Sequence, residues 1–190
     1  MNKEPDRKQI NIHIGEYYAS REPAVIQTVL GSCVAACLFD PCTRTGGMNH
    51  ILLPGRAILK KYDDSARYGV NAMELLINSM MKLGANRRYF QAKVFGGGHM
   101  MSGISKGNGV GEKISSFVLE FLNRENIEVV SKDIGGTDSR KIFFYTDTGE
   151  VFLRRIESTY RQRIAENEVL EAEKVVKKAG RSGEITFFNE

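Results

Sequence analysis

The run Val34-Ala35-Ala36-Cys37-Leu38-Phe39 contains no polar residue, is led in by Gly31-Ser32-Cys33 and is closed by Asp40-Pro41. A run so short reads as a strand, and without a polar side chain at alternate positions it must be covered on both faces. Val25 to Leu30 reads as the strand before it, so Cys33 falls between two extended segments. Ile10-Asn11-Ile12-His13-Ile14 alternates like a half-buried strand and stops at Gly15-Glu16. Met48 to Leu53 is the next expected strand. Its alternation puts His50 on the same face as Met48 and Leu52, pointing inward.

The pattern then becomes helical. From Ala66 to Leu83 the residues Tyr68, Ala72, Met73, Leu76, Met80 and Leu83 keep helical spacing, with Ser65 as N-cap and Gly84 just past the end. Ala92 to Phe95 reads as a strand entering Gly96-Gly97-Gly98. A second helix starts near Val110 and carries Ile114, Phe117, Val118 and Phe121 on one face to Asn123 or Arg124. Ile127 to Val130, Ile142 to Thr146 and Val151 to Arg155 read as strands, the last two joined at Asp147-Thr148-Gly149. Thr159 to Lys178 reads as a charged, mostly exposed helix that places Ile164, Glu168 and Glu171-Ala172 near Val175. Glu184 to Phe188 is a short strand-like tail that docks on the body.

With 190 residues, 42% of them hydrophobic, the chain can bury one substantial core but hardly two. The charged start, Met1 to Lys8, is followed by no apolar stretch of the kind that directs secretion, and no run is long enough to span a bilayer. Three cysteines cannot form an all-paired disulfide framework, so a reducing, intracellular setting is the simplest expectation. The net charge is +4, yet Lys and Arg are interleaved with 23 acidic residues, which argues against a nucleic-acid partner. Glycines gather at 46–47, 96–98, 107–111 and 135–136, where tight turns or close backbone approach are expected to rim a site.

A cysteine acts as a nucleophile through its thiolate, so it needs a base nearby and access to substrate. Gly31 allows a sharp turn and a close substrate, and backbone N–H groups near Cys33 are candidate donors to an oxyanion. His50 is the candidate base. Ser32 and Asn49 are candidate orienters, and Thr28 could fix the tautomer of the imidazole. The bland alternatives are a buried apolar Cys33, a hydrogen-bonded core His50 and an ordinary strand Thr28. Cys33, Cys37, Cys42 and His50 also admit a zinc reading, but they lack paired Cys-x-x-Cys knuckles. Gly107-Asn108-Gly109-Val110-Gly111 invites a phosphate cradle, without the lysine of a P-loop. The methionines Met73, Met80, Met81, Met100 and Met101 fit core or groove lining.

Together, Gly15-Glu16-Tyr17-Tyr18, Thr28 to Cys37, Gly46-Gly47-Met48-Asn49-His50 and Leu53-Pro54 resemble the chemoreceptor glutamine deamidase family CheD. Arg67-Tyr68-Gly69, Ala72 to Asn78, Lys93 to Gly98, Asp133-Ile134-Gly135-Gly136, Arg140-Lys141, Thr148-Gly149 and Gly183 to Phe188 follow in the family's order, so the likeness spans residues 10–188. Departures are His99 where a small residue is usual, Ser139 for a glycine or proline, and Ile114 near an expected asparagine.

The resemblance implies an α+β fold, a single-domain mixed β-sandwich flanked by helices. It implies a flexible segment 1–9, a catalytic domain over 10–156, and a charged helix and short strand over 157–190 docking on that domain. It implies hydrolysis of receptor glutamine side chains to glutamate in the cytoplasm, tuning chemotactic adaptation. Cys33 is then the nucleophile, His50 the base and later acid, and Thr28 the third member, with Gln27 the alternative for that position. Gly31, Ser32, Asn49 and Gly96 to Gly98 line the oxyanion and substrate site. The expected partners are the cytoplasmic helices of chemoreceptors and, where a genome encodes it, the phosphatase CheC, with no nucleic acid, no membrane insertion, no metal and no organic cofactor. A non-catalytic adaptor and a zinc-stabilised binding module are the competing readings.

Overall fold

A computed structural model describes residues 6–52, 62–99, 109–156, 163, 164, 166–168 and 170. Val34–Asp40 (β4) is the middle strand of a five-stranded sheet, between Thr45–Asn49 (β5) and Gln91–Gly96 (β6). Tyr17–Ser20 (β2) and Glu128–Ile134 (β7) form the edges, giving the order β2-β5-β4-β6-β7. The apolar run is buried along nearly its whole length because it has a strand on each side and a layer above and below. On one face lie the helices Tyr62–Lys82 (α1), against β2 and β5, and Val110–Arg124 (α2), against β6 and β7.

The other face meets a second sheet of Lys8–Asn11 (β1), Ala24–Leu30 (β3), Ser139–Tyr145 (β8) and Val151–Ile156 (β9), in the order β1-β3-β8-β9. Both sheets are mixed: β1 runs parallel to β3, and β6 to β7, while the other neighbours are antiparallel. The core between them takes Ile26, Leu30, Ile142 and Phe144 from the four-stranded sheet and Ala35, Cys37 and Met48 from the other. The α+β sandwich with outer helices is therefore the architecture. Gly46 marks how close the layers come, since a Cβ there would stand 2.6 Å from the Thr146 carbonyl oxygen.

Most elements follow the sequence pattern, and the departures have tertiary causes. β1 begins at Lys8 and ends at Asn11, two or three residues earlier than Ile10 to Ile14, because it pairs Lys8 to Asn11 with Ala24 to Gln27. Residues 7–9 are thus anchored, Arg7 also binding both Asp147 carboxylate oxygens at 3.0 Å. β5 starts at Thr45 and stops before His50, earlier than the expected Met48 to Leu53. α1 starts at Tyr62, so Ser65 lies inside the helix and not at its cap, whereas Gly84 (φ +93°) follows its end as expected. Met73 and Met80 are core and Met81 is exposed; Met100, Met101, Gly107 and Asn108 lie outside the described residues. Gly111 is accounted for by packing, as a Cβ there would come within 2.6 Å of the Gly97 backbone. The tail Glu184 to Phe188 also lies outside the described residues.

Candidate active site

The turn Gly31-Ser32-Cys33 crosses from one sheet to the other, between β3 and β4. Its carbonyls face backwards, where Gly98 N–H donates to Gly31 O at 2.8 Å and Gly97 N–H to Cys33 O at 2.7 Å. Fixing the carbonyls this way turns the three N–H groups to the opposite side. Gly96 makes the close approach possible: it sits at φ +111°, and a Cβ there would be 2.1 Å from Cys33 O. The Gly96 to Gly98 loop therefore braces the Cys33 turn from behind, with the Gly97 and Gly98 N–H groups spent on that brace. The loop is held in turn by Gly135 N–H on Gly96 O at 2.8 Å and His99 N–H on Gly136 O at 2.7 Å.

Arg140, fully buried, anchors the Gly135–Gly136 turn. Its guanidinium bonds the Asp133 carboxylate and the Gly135 carbonyl, and donates to Asp133 O at 2.7 Å and Asp138 O at 3.1 Å. His99 faces Glu112 across 3.6 Å, so the unusual histidine has a partner on α2, and Ile114 is core. Ser139 is buried at the start of β8.

His50 lies one residue beyond β5, where its N–H donates to Glu16 O and its carbonyl accepts from Gly15 N–H, both at 2.9 Å. Its inward direction matches the sequence pattern, although the strand ends before it. Thr28 on β3 bonds the imidazole, Oγ1 lying 2.8 Å from Nδ1, and the same hydroxyl donates to Ile12 O at 2.8 Å. A hydroxyl has one hydrogen, and with it on Ile12 O the threonine can only accept from Nδ1–H. In this arrangement Nδ1 carries the hydrogen and Nε2 keeps its lone pair; Nε2 is buried and without a hydrogen-bond partner among the described residues. The residue on Nδ1 is thus Thr28 and not Gln27, which lines the adjoining cavity. That cavity, of about 270 Å³, also touches His50, Thr28 and Ile164.

Asn49 is elsewhere engaged. Its Oδ1 accepts from Ala36 N–H at 3.0 Å and its Nδ2 donates to Ala72 O at 3.2 Å, tying β4 to α1. It supports the strand that follows Cys33, its side chain turned to β4 and α1.

Glu168 completes the cluster, and the sequence pattern placed it on an exposed helix. Its side chain is buried, and positions 163, 164, 166–168 and 170 are helical. Oε1 accepts from Gly31 N–H at 2.9 Å and Cys33 N–H at 3.3 Å; Oε2 accepts from Ser32 N–H at 2.9 Å and from the Ser32 hydroxyl at 2.6 Å. The missed signal was a carboxylate one turn after Ile164, on the apolar stripe of that helix. Cys33 Sγ, a ring nitrogen of His50 and a carboxylate oxygen of Glu168 lie within 4.8 Å of one another.

The site holds both titrating groups neutral. Burial, then the Glu168 charge, then its hydrogen bond push the Cys33 thiol well above its ordinary value. Burial pushes His50 down to about 4, Glu168 opposing and His13 adding to the shift. Cys33, His50 and Glu168 are also metal-binding residue types, but all four backbone and hydroxyl donors of the turn converge on the glutamate oxygens a metal would need. Cys37 and Cys42 do not join them: Cys37 is packed in β4, its thiol pushed up by burial, and Cys42 is exposed in the turn after it.

A family model described as CheD chemotactic sensory transduction matches residues 52–155, more than half the chain, beginning just after His50. Proteins named probable chemoreceptor glutamine deamidase CheD are similar over a longer span. The one from Shewanella oneidensis is 43% identical over 187 residues, covering 97% of this chain and 90% of its own length. Those from Albidiferax ferrireducens and Methylobacillus flagellatus are 44% and 40% identical, each over 92% of this chain and over 73% and 86% of their own lengths. Similarity at this level, extending along the turn, the histidine and the strands that carry them, makes the chain a member of the CheD family.

Proposed function

We propose that the protein hydrolyses the side-chain amide of selected chemoreceptor glutamines to glutamate, with Cys33 as nucleophile, His50 as base and acid, and Thr28 positioning the imidazole. The observation that carries this reading is the contact of Thr28 with His50 Nδ1 in a histidine that lies beside Cys33: with Nδ1 engaged by Thr28, Nε2 is the nitrogen left to take a proton. A thiol held neutral gains nucleophilicity only as its proton is removed, which is the task of such a base.

In this mechanism His50 takes the Cys33 proton as sulfur attacks the glutamine Cδ. The oxygen that becomes negative is received by the Gly31 and Cys33 N–H groups, which in the structure meet on a single oxygen, Oε1 of Glu168. Protonated His50 then gives its proton to the departing nitrogen, the C–N bond breaks and ammonia leaves. Water, deprotonated by His50, attacks the thioester, and glutamate and the thiol are released. The new carboxylate changes the receptor's charge and so its signalling state.

The substrate in this reading is a receptor helix in the cytoplasm, and CheC, where present, is a second partner on the same face. Among the described residues no helix is long and apolar enough to cross a membrane. Ammonia release separates this substrate from a free amino acid. The purified protein should release ammonia from a chemoreceptor cytoplasmic fragment and not from free glutamine. Release from free glutamine alone would contradict the proposal.

A further inference from the structure

Glu168 presents to the Cys33 turn the chemical group that deamidation produces. We propose that Glu168 is a built-in product mimic, its side-chain carboxyl filling the subsite for the carboxamide of a substrate glutamine and so competing with the receptor for the site. The inference rests on the deamidase reading and deepens it.

Three observations support it. The first is position. The carboxyl takes the N–H groups of Gly31, Ser32 and Cys33, the donors that would hold the amide oxygen of a glutamine under attack by Cys33. With Glu168 in place these donors are occupied, and no substrate amide can reach them.

The second is the way the group enters. Glu168 is 6% exposed while Glu166 and Asn167 beside it are exposed, so a single side chain is inserted from a helical stretch. Ile164, one turn earlier, lines the cavity next to His50 and Thr28. A helix delivering one long acidic side chain into the site, with an apolar residue one turn away, is how a receptor helix would present its glutamine.

The third is chemical preference. Both carboxyl oxygens accept, and Ser32 supplies N–H and hydroxyl to the same Oε2. A carboxamide offers one acceptor oxygen, and its NH2 cannot accept from Ser32 N–H. The turn therefore favours the acid over the amide, which lets the tethered glutamate hold the site against the receptor's glutamine. The Glu168 charge and hydrogen bond also raise the Cys33 thiol, so vacating the subsite returns the thiol toward reactivity.

The same geometry predicts an activity in cis. In Glu168→Gln the introduced amide would sit against Cys33. Sulfur would attack its Cδ, His50 would deliver a proton to the leaving ammonia, and water would hydrolyse the thioester, restoring an acid at position 168.

The test uses the full chain with Glu168→Ala and Glu168→Gln, the latter keeping shape if the former folds poorly. Iodoacetamide labelling of Cys33, mapped by peptide mass spectrometry, needs no receptor. Labelling should be at least about tenfold faster in Glu168→Ala than in the unmutated chain. On a receptor fragment the apparent KM of Glu168→Ala should fall at least about threefold with kcat little changed, because the open state is more populated. In Glu168→Gln the amide at 168 should convert to acid, and adding Cys33→Ser should stop it. Receptor deamidation by the unmutated chain, with no faster labelling, no fall in KM and a persistent amide at 168, would overturn the product mimic alone. No deamidation of receptor or of position 168 by any chain would overturn the deamidase reading and the mimic with it.

Discussion

Thr28 Oγ1 stands 2.8 Å from His50 Nδ1 and 2.8 Å from the Ile12 carbonyl oxygen. The carbonyl takes the hydroxyl's hydrogen and thereby decides which imidazole nitrogen is protonated. Thr28→Val keeps the shape of the side chain and removes the acceptor, leaving a buried Nδ1–H unpaired. Deamidation kcat should fall about tenfold to hundredfold with KM little changed, and Thr28→Ser should restore most of it. Nitrogen NMR of the His50 ring should show the tautomer lost in the valine variant and kept in the serine variant.

His50 and Cys33 bound the pH range of stability from opposite sides. Burial lowers His50 from 6.5 to about 4, so between those values the unfolded chain binds a proton that the native chain does not. Native stability then falls as pH drops through that window. Cys33 keeps its proton above its ordinary value of 9.0, so stability also falls as pH rises past that point. Urea unfolding should show the unmutated chain losing on the order of 3 kcal/mol more than His50→Gln on the acid side. Equal acid slopes would remove the buried neutral imidazole from the account.

Gly96→Ala tests the brace behind the nucleophile. The new Cβ would lie 2.1 Å from Cys33 O at φ +111°, so the turn must shift. We expect a destabilisation of about 3 kcal/mol together with a loss of deamidation larger than that of an equally destabilising change remote from the site. Denaturant midpoints and initial rates measured on the same preparations check this.

Arg140→Met removes the anchor of the Gly135–Gly136 turn. Asp133 is partly exposed and keeps Arg155 as a partner at 2.9 Å, so the cost should be about 2–3 kcal/mol and not that of a fully buried pair. Chemical denaturation gives the stability. Iodoacetamide labelling of Cys33 should change as well, since the Gly96 to Gly98 loop links the two.

Where residues carried their own punctuation, the fold was legible in the sequence. β4 was visible because Val34 to Phe39 lacks polar residues and Pro41 stops it, and α2 because its apolar face and its start at Val110 agree. β2 and the start of β5 were not, because Tyr17–Ser20 is too short to show a period and Gly46-Gly47 has little strand propensity. Pairing with each other, and the approach of Thr146 and Leu76, make them strands. At the site, Cys33, His50 and Thr28 could be named from turn chemistry and alternation. Gly96 to Gly98 were placed near the right turn but on its far side, since spacing does not say which way an N–H points, and the Asn49 side chain is turned to β4 and α1. Glu168 was out of reach, because a helical pattern shows a face without showing what covers it, and 135 residues separate it from Cys33.

In the proposed reaction Cys33 attacks a receptor glutamine with His50 as its base. Peptide mass spectrometry of a chemoreceptor cytoplasmic fragment, incubated with the unmutated chain, Cys33→Ser or His50→Ala, tests it most directly. Glutamine should be converted to glutamate at discrete positions by the unmutated chain, not at all by Cys33→Ser, and at least about a hundredfold more slowly by His50→Ala, all three chains being folded. Conversion by folded Cys33→Ser at the rate of the unmutated chain would contradict it.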